Sequence, residues 1–271
     1  MNNEAGKPPV VMTIAGFDPS AGAGVLADIK TISAFGCYGI AAVTSVTLQN
    51  TQMISGACHQ TPASLRQQIA MLFDDFDVAA IKTGMLPTED IVKEVATLVS
   101  RRSLHVIVDP VLKSTSGQEL ADEHATEALL KYLLPLSSLV TPNVTEAERL
   151  SGIVIRDRRS MEQAASELRS RGAGAVLITG GDSESDTCLD MLLDNRGTAI
   201  YDSERVQSRH THGTGCSFAS AIACLMARGR PLRESIPIAK LYVTQAILNA
   251  PQLGHGHGPL NHFPPGFNIE S

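Results

Sequence analysis

Tryptophan is absent from this chain, and aromatic residues together make up only 4% of its 271 positions. A buried core must therefore be built from Val, Ile, Leu and Ala, for which a hydrophobic fraction of 43% is ample. Apolar runs of membrane-spanning length are also absent, and the start of the chain, residues 1–9, is polar and contains proline. We therefore expect neither a membrane span nor a signal peptide.

Paired cysteines and basic runs are lacking as well. The five cysteines are scattered and none forms a Cys-x-x-Cys pair, which argues against a disulfide framework and against a zinc site. Free thiols fit a reducing cytoplasm best. The formal net charge of −6 and the lack of basic runs argue against nucleic acid as a partner. The sequence thus predicts a cytoplasmic protein with neither a nucleic-acid partner nor a membrane partner.

What the sequence does contain is a regular alternation of short β-branched runs and helical patterns. Strands separated by helices predict a mostly parallel sheet with helices on both faces, a three-layer α/β/α fold. The predicted strands are residues 10–15, 40–48, 78–82, 106–109, 138–141 and 175–179 with a late hairpin at 188–193 and 198–201, and the predicted helices are 24–35, 62–73, 88–101, 123–134, 160–171, 217–227 and 232–249. No linker, repeat or low-complexity tract interrupts this pattern. We predict a disordered segment 1–9, a single domain over 10–271 and a flexible loop at 254–258.

A Gly-Thr-Gly-Cys segment at Gly213, Thr214, Gly215 and Cys216 opens an apolar helical pattern. The unpaired N–H groups of a helix's first turn and the positive end of its dipole favour an anion, and glycines let the backbone approach a phosphate. The same field favours a thiolate, so we predict a lowered pKa for Cys216. The segment indicates phosphoryl transfer with Cys216 near the accepting hydroxyl. The alternative is an ordinary turn, a helix cap and a buried cysteine.

Further polar and glycine-rich segments follow other predicted strands, where ligands gather in an open parallel sheet. The loop at 15–24 is rich in glycine but lacks the G-x-G-x-x-G spacing of a dinucleotide site. The amide of Gln49 suits the edge of a heterocycle, and Met85 suits the face of a flat ring. An ordinary turn, a polar loop and a core methionine are the alternatives.

Acidic groups at two neighbouring strand ends predict a magnesium site. Asp109 closes one strand, and Asn143 and Glu146 follow another. Carboxylates so placed can hold Mg²⁺, often through water. Together with the Gly-Thr-Gly-Cys segment they indicate a site for a nucleotide and Mg²⁺.

As an ordered set, these motifs resemble the hydroxymethylpyrimidine and phosphomethylpyrimidine kinases of thiamine biosynthesis, which belong to the ribokinase-like superfamily. The resemblance runs from about Val10 to His262. The segments that carry it are residues 13–24, 27–28, 49–51, 82–86, 109–111, 141–148 and 212–216. It implies a Rossmann-like α/β/α fold, usually a homodimer. It also implies two successive ATP-dependent phosphorylations, first of the hydroxymethyl group of 4-amino-5-hydroxymethyl-2-methylpyrimidine and then of the monophosphate.

The resemblance also assigns roles. The residues that it implies for the pyrimidine pocket are Gly16, Ala23, Asp28, Gln49 and Met85. The anion hole would comprise Gly213, Thr214 and Gly215 with Cys216, which stands where most of the superfamily has an aspartate base. Asp109 and Glu146 would organise Mg²⁺ and the phosphates, with Asn143 on the nucleotide side.

Two departures from the family pattern stand out. Thr179 occupies the position of a lysine that usually reaches the ATP phosphates, so Lys113 or another cation substitutes, or ATP is held less tightly. Phe17 and Ala21 replace smaller or polar residues of the first glycine loop. Two alternative functions remain open at this point, a pyridoxal or pyridoxine kinase of the same superfamily and a non-catalytic sensor of a pyrimidine or nucleotide.

Overall fold

The computed structural model describes residues 6–114, 117–180 and 187–269, and the strands found there form one nine-stranded sheet. The strands are β1 (Val10–Phe17), β2 (Tyr38–Gln49), β3 (Ile54–His59), β4 (Val78–Thr83), β5 (His105–Val108), β6 (Leu139–Val140), β7 (Val176–Ile178), β8 (Thr187–Asp194) and β9 (Gly197–Glu204). Their order across the sheet is β3-β2-β1-β4-β5-β6-β7-β8-β9. The central pairs from β2 to β7 are parallel, whereas β3, β8 and β9 add antiparallel edges.

Eight α-helices connect or follow these strands in the described residues. They are α1 (Gly24–Ala34), α2 (Pro62–Asp75), α3 (Glu89–Val99), α4 (Glu123–Ala128), α5 (Val144–Ser151), α6 (Arg158–Ser170), α7 (Thr214–Ala227) and α8 (Leu232–Leu248). A wider π-type turn, Leu129–Leu133, and a 3₁₀ turn, Leu134–Leu136, continue α4. None of the helices in the described ranges is long and apolar enough to cross a membrane.

The helices form one layer on each face of the sheet. Successive side chains of a strand point to opposite faces, so neighbours such as Val11 and Met12 enter different cores. The core that contains Met12 is completed by α2 to α6, and the core that contains Val11 is completed by α1, α7 and α8. Helix α7 is the most enclosed, since every residue from Ser217 to Met226 is buried. The expected three-layer, mostly parallel α/β fold is confirmed.

The structure adds two elements to the expected pattern and corrects one loop. Strand β3 and helix α5 were not expected, and β2 begins two residues earlier than its β-branched run. The loop 254–258, expected to be flexible, is tied to Thr51: the N–H of Gly256 donates to its hydroxyl and the N–H of His257 to its carbonyl. A side chain at Gly256 would overlap the Thr51 carbonyl, so the glycines permit this contact. Residues 1–5 and 181–186 lie outside the described ranges, and the single domain remains a prediction.

Candidate active site

A cavity of about 710 Å³ lies beyond the carboxyl ends of the parallel strands. It is lined by most of the residues that the sequence pointed to: Gly16, Ala23, Gln49, Met85, Asp109, Lys113, Asn143, Glu146, Thr179, Gly213, Thr214, Gly215 and Cys216. Asp28 is absent from that lining. Residues from β1, β2 and α7 and from the segments that follow β4 and β5 therefore meet in one space, as expected for an open parallel sheet.

Asp28 belongs to a buried ion cluster behind the cavity. Its side chain is fully buried on α1, and both of its carboxylate oxygens lie 3.1 Å from Nζ of Lys82 on β4. Thr13 and Ser220 donate further hydrogen bonds to it, at 2.6 and 2.9 Å. The expectation that Asp28 lines the pyrimidine pocket is therefore wrong. Its carboxylate is the counter-ion that a buried lysine needs, because an unpaired buried charge is costly.

Lys82 connects this cluster to the cavity wall. Its ammonium group also lies 3.2 Å from Oδ2 of Asp109, which lines the cavity. Burial alone would lower the pKa of Lys82, but attraction to the carboxylates, that of Asp28 above all and that of Asp109, outweighs burial and raises that pKa. Lys82 thus remains charged, with the carboxylate of Asp28 on the side away from the cavity and that of Asp109 on the cavity side.

The first turn of α7 presents open backbone to the cavity. Gly213 has φ +84°, and a side chain there would also overlap the carbonyl oxygen of Gly22. Apart from its chain neighbours and the backbone of its own helix, no heavy atom of the described residues lies within 4 Å of the position that a Cβ of Gly215 would occupy. The loop therefore packs tightly on one side and is open on the other. An open helix N-terminus can bind an anion.

Cys216 sits in that first turn, but its pKa is shifted in the direction opposite to the sequence expectation. Cys216 as a residue is only partly buried, but the enclosure of its sulfur raises the pKa of the thiol, and the carboxylates of Asp109 and Asp28 raise it further. The charge of Lys82 and the backbone N–H of Gly24 act in the other direction without reversing the shift. The helix N-terminus therefore does not make a thiolate here, since desolvation and two nearby anions dominate. The prediction of a lowered pKa is wrong for this structure.

The first glycine loop is organised around Asp18. One carboxylate oxygen accepts from the backbone N–H and the hydroxyl of Ser20, and the other accepts from the N–H groups of Gly22 and Ala23. Burial would raise the pKa of Asp18, but hydrogen bonds from His212 and Ser20 outweigh it and lower that pKa. Asp18 is therefore an anion that holds the loop in shape.

A chain of side-chain contacts joins this loop to Gln49. Nε2 of His212 lies 2.8 Å from Oδ2 of Asp18 and 3.0 Å from the amide nitrogen of Gln49. On the other side of the amide, the Thr47 hydroxyl lies 3.2 Å from Oε1 of Gln49 and 3.0 Å from the carbonyl oxygen of Phe17. Gln49 therefore enters the cavity with its amide held at both ends.

Carboxylates on the opposite side of the cavity suit Mg²⁺. Glu146 forms a capping box with Asn143 at the start of α5, and its other oxygen accepts from the N–H of Leu112 at 3.4 Å. Oδ2 of Asp109 is buried and accepts no hydrogen bond of good geometry. No group of three or more His, Cys, Asp or Glu that could hold a metal occurs in the part of the chain that is described. Mg²⁺ commonly takes one or two carboxylates and completes its shell with phosphate and water, so Asp109 and Glu146 fit it.

Two lysines of the cavity are already engaged with acids. Lys113 is half exposed and pairs with Glu119 at 3.0 Å. Lys240 on α8 is largely buried and pairs with Asp190, whose other oxygen accepts from the N–H of Gly180 next to Thr179. Both lysines line the cavity. Lys240 was missed by the sequence argument because a single lysine in an amphipathic helix carries no distinctive signal.

Comparison with solved structures identifies the class of this protein. The pyridoxal kinase of Staphylococcus aureus in complex with AMP-PCP and pyridoxal is 32% identical, has a TM-score of 0.87, and the match covers 96% of this chain and 95% of that one. The phosphomethylpyrimidine kinase of Clostridium difficile 630 is 34% identical with a TM-score of 0.79, over 88% of this chain and 99% of that one. The fold and the cavity thus define a kinase of the ribokinase-like α/β class.

Sequence comparison then identifies the family. The model of the phosphomethylpyrimidine kinase family matches residues 18–261. The hydroxymethylpyrimidine/phosphomethylpyrimidine kinase of S. aureus strain Mu50 is 39% identical over 266 residues, 95% of this chain and 94% of that protein. The thiamine biosynthesis bifunctional protein ThiED of Geobacter sulfurreducens is 46% identical over 253 residues, and the match spans 93% of this chain but only 52% of that longer protein. This chain belongs to the phosphomethylpyrimidine kinase family.

Proposed function

We propose that this protein transfers the γ-phosphoryl group of ATP to the hydroxymethyl group of 4-amino-5-hydroxymethyl-2-methylpyrimidine, and then phosphorylates the monophosphate to the diphosphate. The observation that carries the proposal is that one cavity contains both the open N-terminus of α7, with Cys216 in its first turn, and the held amide of Gln49. The first group suits a transferring phosphate, and the second suits a ring nitrogen beside an exocyclic amine. Family membership supports the same assignment.

The acceptor ring would lie among Gly16, Ala23, Gln49 and Met85. The Met85 thioether packs against Gly16, where a side chain would displace it, and the Met85 backbone is fixed by a hydrogen bond from Thr44 at 2.7 Å. A fixed, soft wall beside a glycine forms a slot for a flat ring. The Gln49 amide would then read the edge of that ring.

Phosphoryl transfer depends on positioning and on stabilising charge more than on covalent chemistry. The N–H groups of Gly213, Gly215 and Cys216 would stabilise the oxygens of the transferring group, whereas the N–H of Thr214 already donates to the carbonyl of Thr211 at 3.2 Å. Asp109 and Glu146 would hold Mg²⁺, with Asn143 beside them, and the metal would neutralise phosphate charge when bound.

Once its own proton has passed to solvent, the Cys216 thiolate would accept the proton of the attacking hydroxyl late in the transfer. The protein must first offset what keeps the thiol protonated. Lys82 already lowers the pKa of the thiol, whereas the charge of Asp109 raises it. When Mg²⁺ is bound, its charge would offset that of Asp109, so that only Asp28 would still raise the pKa of the thiol. The resting thiol and the catalytic base are thus two states of one site.

The phosphate contact expected at Thr179 would be made by Lys113. Lys113 is half exposed, and its pairing with Glu119 is a surface ion pair of low strength, so a nucleotide phosphate can compete for it. Lys113→Ala should raise the KM for ATP and leave the KM for the pyrimidine unchanged. Lys131→Ala is the matched control, because Lys131 lies in the π-type turn after α4 and is not among the residues that line the cavity. An unchanged KM for ATP in Lys113→Ala would mean that backbone and Mg²⁺ hold the phosphates.

A pyridoxal kinase is the second candidate. It is favoured by the likeness to the S. aureus pyridoxal kinase, with a TM-score of 0.87 at 32% identity. The Gln49 amide favours the aminopyrimidine, since pyridoxal offers a phenolic oxygen and an aldehyde instead. We further propose that the protein acts in the cytoplasm as a homodimer.

A time course tests the proposed function. Purified protein with Mg-ATP and the aminopyrimidine should give the monophosphate first and the diphosphate later, as followed by mass spectrometry. A burst limited to one equivalent of ATP, or none, would indicate a sensor rather than an enzyme. Accumulation of the monophosphate alone would refute the second phosphorylation.

A further inference from the structure

The proton on His212 is fixed by its neighbour Asp18. The carboxylate of Asp18 accepts four hydrogen bonds from Ser20, Gly22 and Ala23, which lower the energy of its anionic form. Nε2 of His212 lies 2.8 Å from the same carboxylate. A bare nitrogen lone pair at that distance from an anion would be repelled, so Nε2 of His212 must carry a hydrogen and donate it to Asp18.

That proton determines which way the amide of Gln49 faces. With the amide nitrogen 3.0 Å from Nε2 of His212, two donors would face each other. The Thr47 hydroxyl would meanwhile have to donate its one hydrogen both to Gln49 and to the carbonyl of Phe17. A half-turn of the amide exchanges its oxygen and nitrogen, so that the two donors no longer face each other and the Thr47 hydroxyl donates to Phe17 alone. The one hydrogen on Nε2 of His212 is then shared between the Asp18 carboxylate and the Gln49 oxygen, which both accept from it. The Gln49 nitrogen donates to the Thr47 hydroxyl, whose own hydrogen goes to Phe17.

We propose that His212, held by Asp18, is a positioning residue that fixes the direction of the Gln49 amide and so sets the order of donor and acceptor that the pocket offers its substrate. This inference rests on the proposed function for its substrate. One lone pair of the amide oxygen and one hydrogen of the amide nitrogen remain after His212 and Thr47 are served. The exocyclic amine of the pyrimidine therefore lies on the His212 side, and the ring nitrogen lies on the Thr47 side.

The same histidine links acceptor recognition to the phosphate loop. Its ring packs on Gly22, where a side chain would overlap it, and its backbone N–H donates to the carbonyl of Gly258 at 3.3 Å. Gly213, the first residue of the anion hole, follows directly in the chain. A change at His212 could therefore affect the rate for structural reasons alone, and the test must separate the two roles.

The positioning role and the structural role of His212 can be separated by measuring how well the enzyme discriminates between two acceptors. The measured quantity is the ratio of kcat/KM for the aminopyrimidine to kcat/KM for its analogue without the amino group. His212→Leu should reduce this ratio by roughly 5- to 10-fold, the usual worth of one hydrogen bond of this kind. His212→Gln retains an N–H donor and should restore part of the ratio. In a Gln49→Leu background, His212→Leu should change the ratio no further, because the amide that it orients is gone.

His210→Leu is the matched control. His210 lies two residues earlier in the same loop, is equally buried, and packs against Gly258. Its replacement should leave the ratio unchanged even if the rates fall. Equal losses for both acceptors in His212→Leu, with an unchanged ratio, would overturn the proposal and leave His212 a structural residue.

The ligand-free protein gives a readout that does not depend on activity. Correlation spectra of ¹⁵N-labelled histidine rings should show hydrogen on Nε2 of His212. The signal is assigned to His212 by its disappearance in His212→Leu. A bare Nε2 would overturn the proposal whatever the enzyme does. Absence of turnover with both acceptors, together with a protonated Nε2, would instead refute the proposed function while the orientation of Gln49 stands.

Discussion

Lys82→Met tests whether the buried ion cluster supports the active site. The substitution keeps the length of the side chain but leaves Asp28, which is fully buried, and Asp109 without their shared cation. Removal of one partner from a buried ion pair costs about 3–5 kcal/mol, because the remaining charge is left uncompensated. For a chain of this size each kcal/mol lowers Tm by roughly 2–4 °C, so we expect a drop of roughly 6–20 °C.

Thermal unfolding followed by circular dichroism measures this effect, and two further variants sharpen it. Lys93→Met removes an exposed i, i+4 pair with Glu89 and should shift Tm far less, since surface pairs are screened by water. Adding Asp28→Asn to Lys82→Met should recover part of the loss, because the amide is neutral and keeps partners at Thr13 and Ser220. A Tm for Lys82→Met no lower than that for Lys93→Met would refute the reasoning.

Other predictions concern Cys216 and the glycines of its loop. Cys216→Ala should lower kcat by roughly 10²–10⁴-fold and leave both KM values little changed, as steady-state kinetics can show. Near-normal turnover would contradict the role of Cys216 as the base. Because burial raises the pKa of Cys216, iodoacetamide at neutral pH should label the exposed Cys58 first, as peptide mass spectrometry can show; prior labelling of Cys216 would contradict the raised pKa. Gly213→Ala should lower both Tm and activity through overlap with a carbonyl and a strained φ, whereas Gly215→Ala, which faces open space, should lower activity alone.

Much of the fold could be predicted because its strands are short, buried and β-branched. The run Val106–Val108 is β-branched throughout, which favours a strand, and the helices between such runs favour parallel pairing. Strand β3 escaped prediction because its sequence, Ile54–His59, contains a glycine, an alanine and one β-branched residue. It exists because it pairs with the long β2, a tertiary effect that local propensity does not carry.

The sequence predicted which residues meet in one cavity, apart from Asp28, and predicted their electrostatics less well. The motifs placed Gln49, Met85 and Cys216 at strand or helix ends, and those positions do meet in the cavity. The direction in which Asp28 points and the burial of Lys82 depend on how α1 packs on the sheet, which no short motif encodes. For the same reason a helix N-terminus alone predicted the wrong sign for the pKa of Cys216.

Direct competition between two acceptors tests the central claim. Purified protein is given Mg-ATP with equal concentrations of the aminopyrimidine and pyridoxal, and the phosphorylated products are counted by mass spectrometry at early times. The product ratio equals the ratio of kcat/KM values, and a site built to hydrogen-bond one ring edge should reject a ring that lacks it. The account predicts that phosphorylated aminopyrimidine predominates. Predominance of pyridoxal phosphate would contradict it and assign the protein to the rival kinase activity.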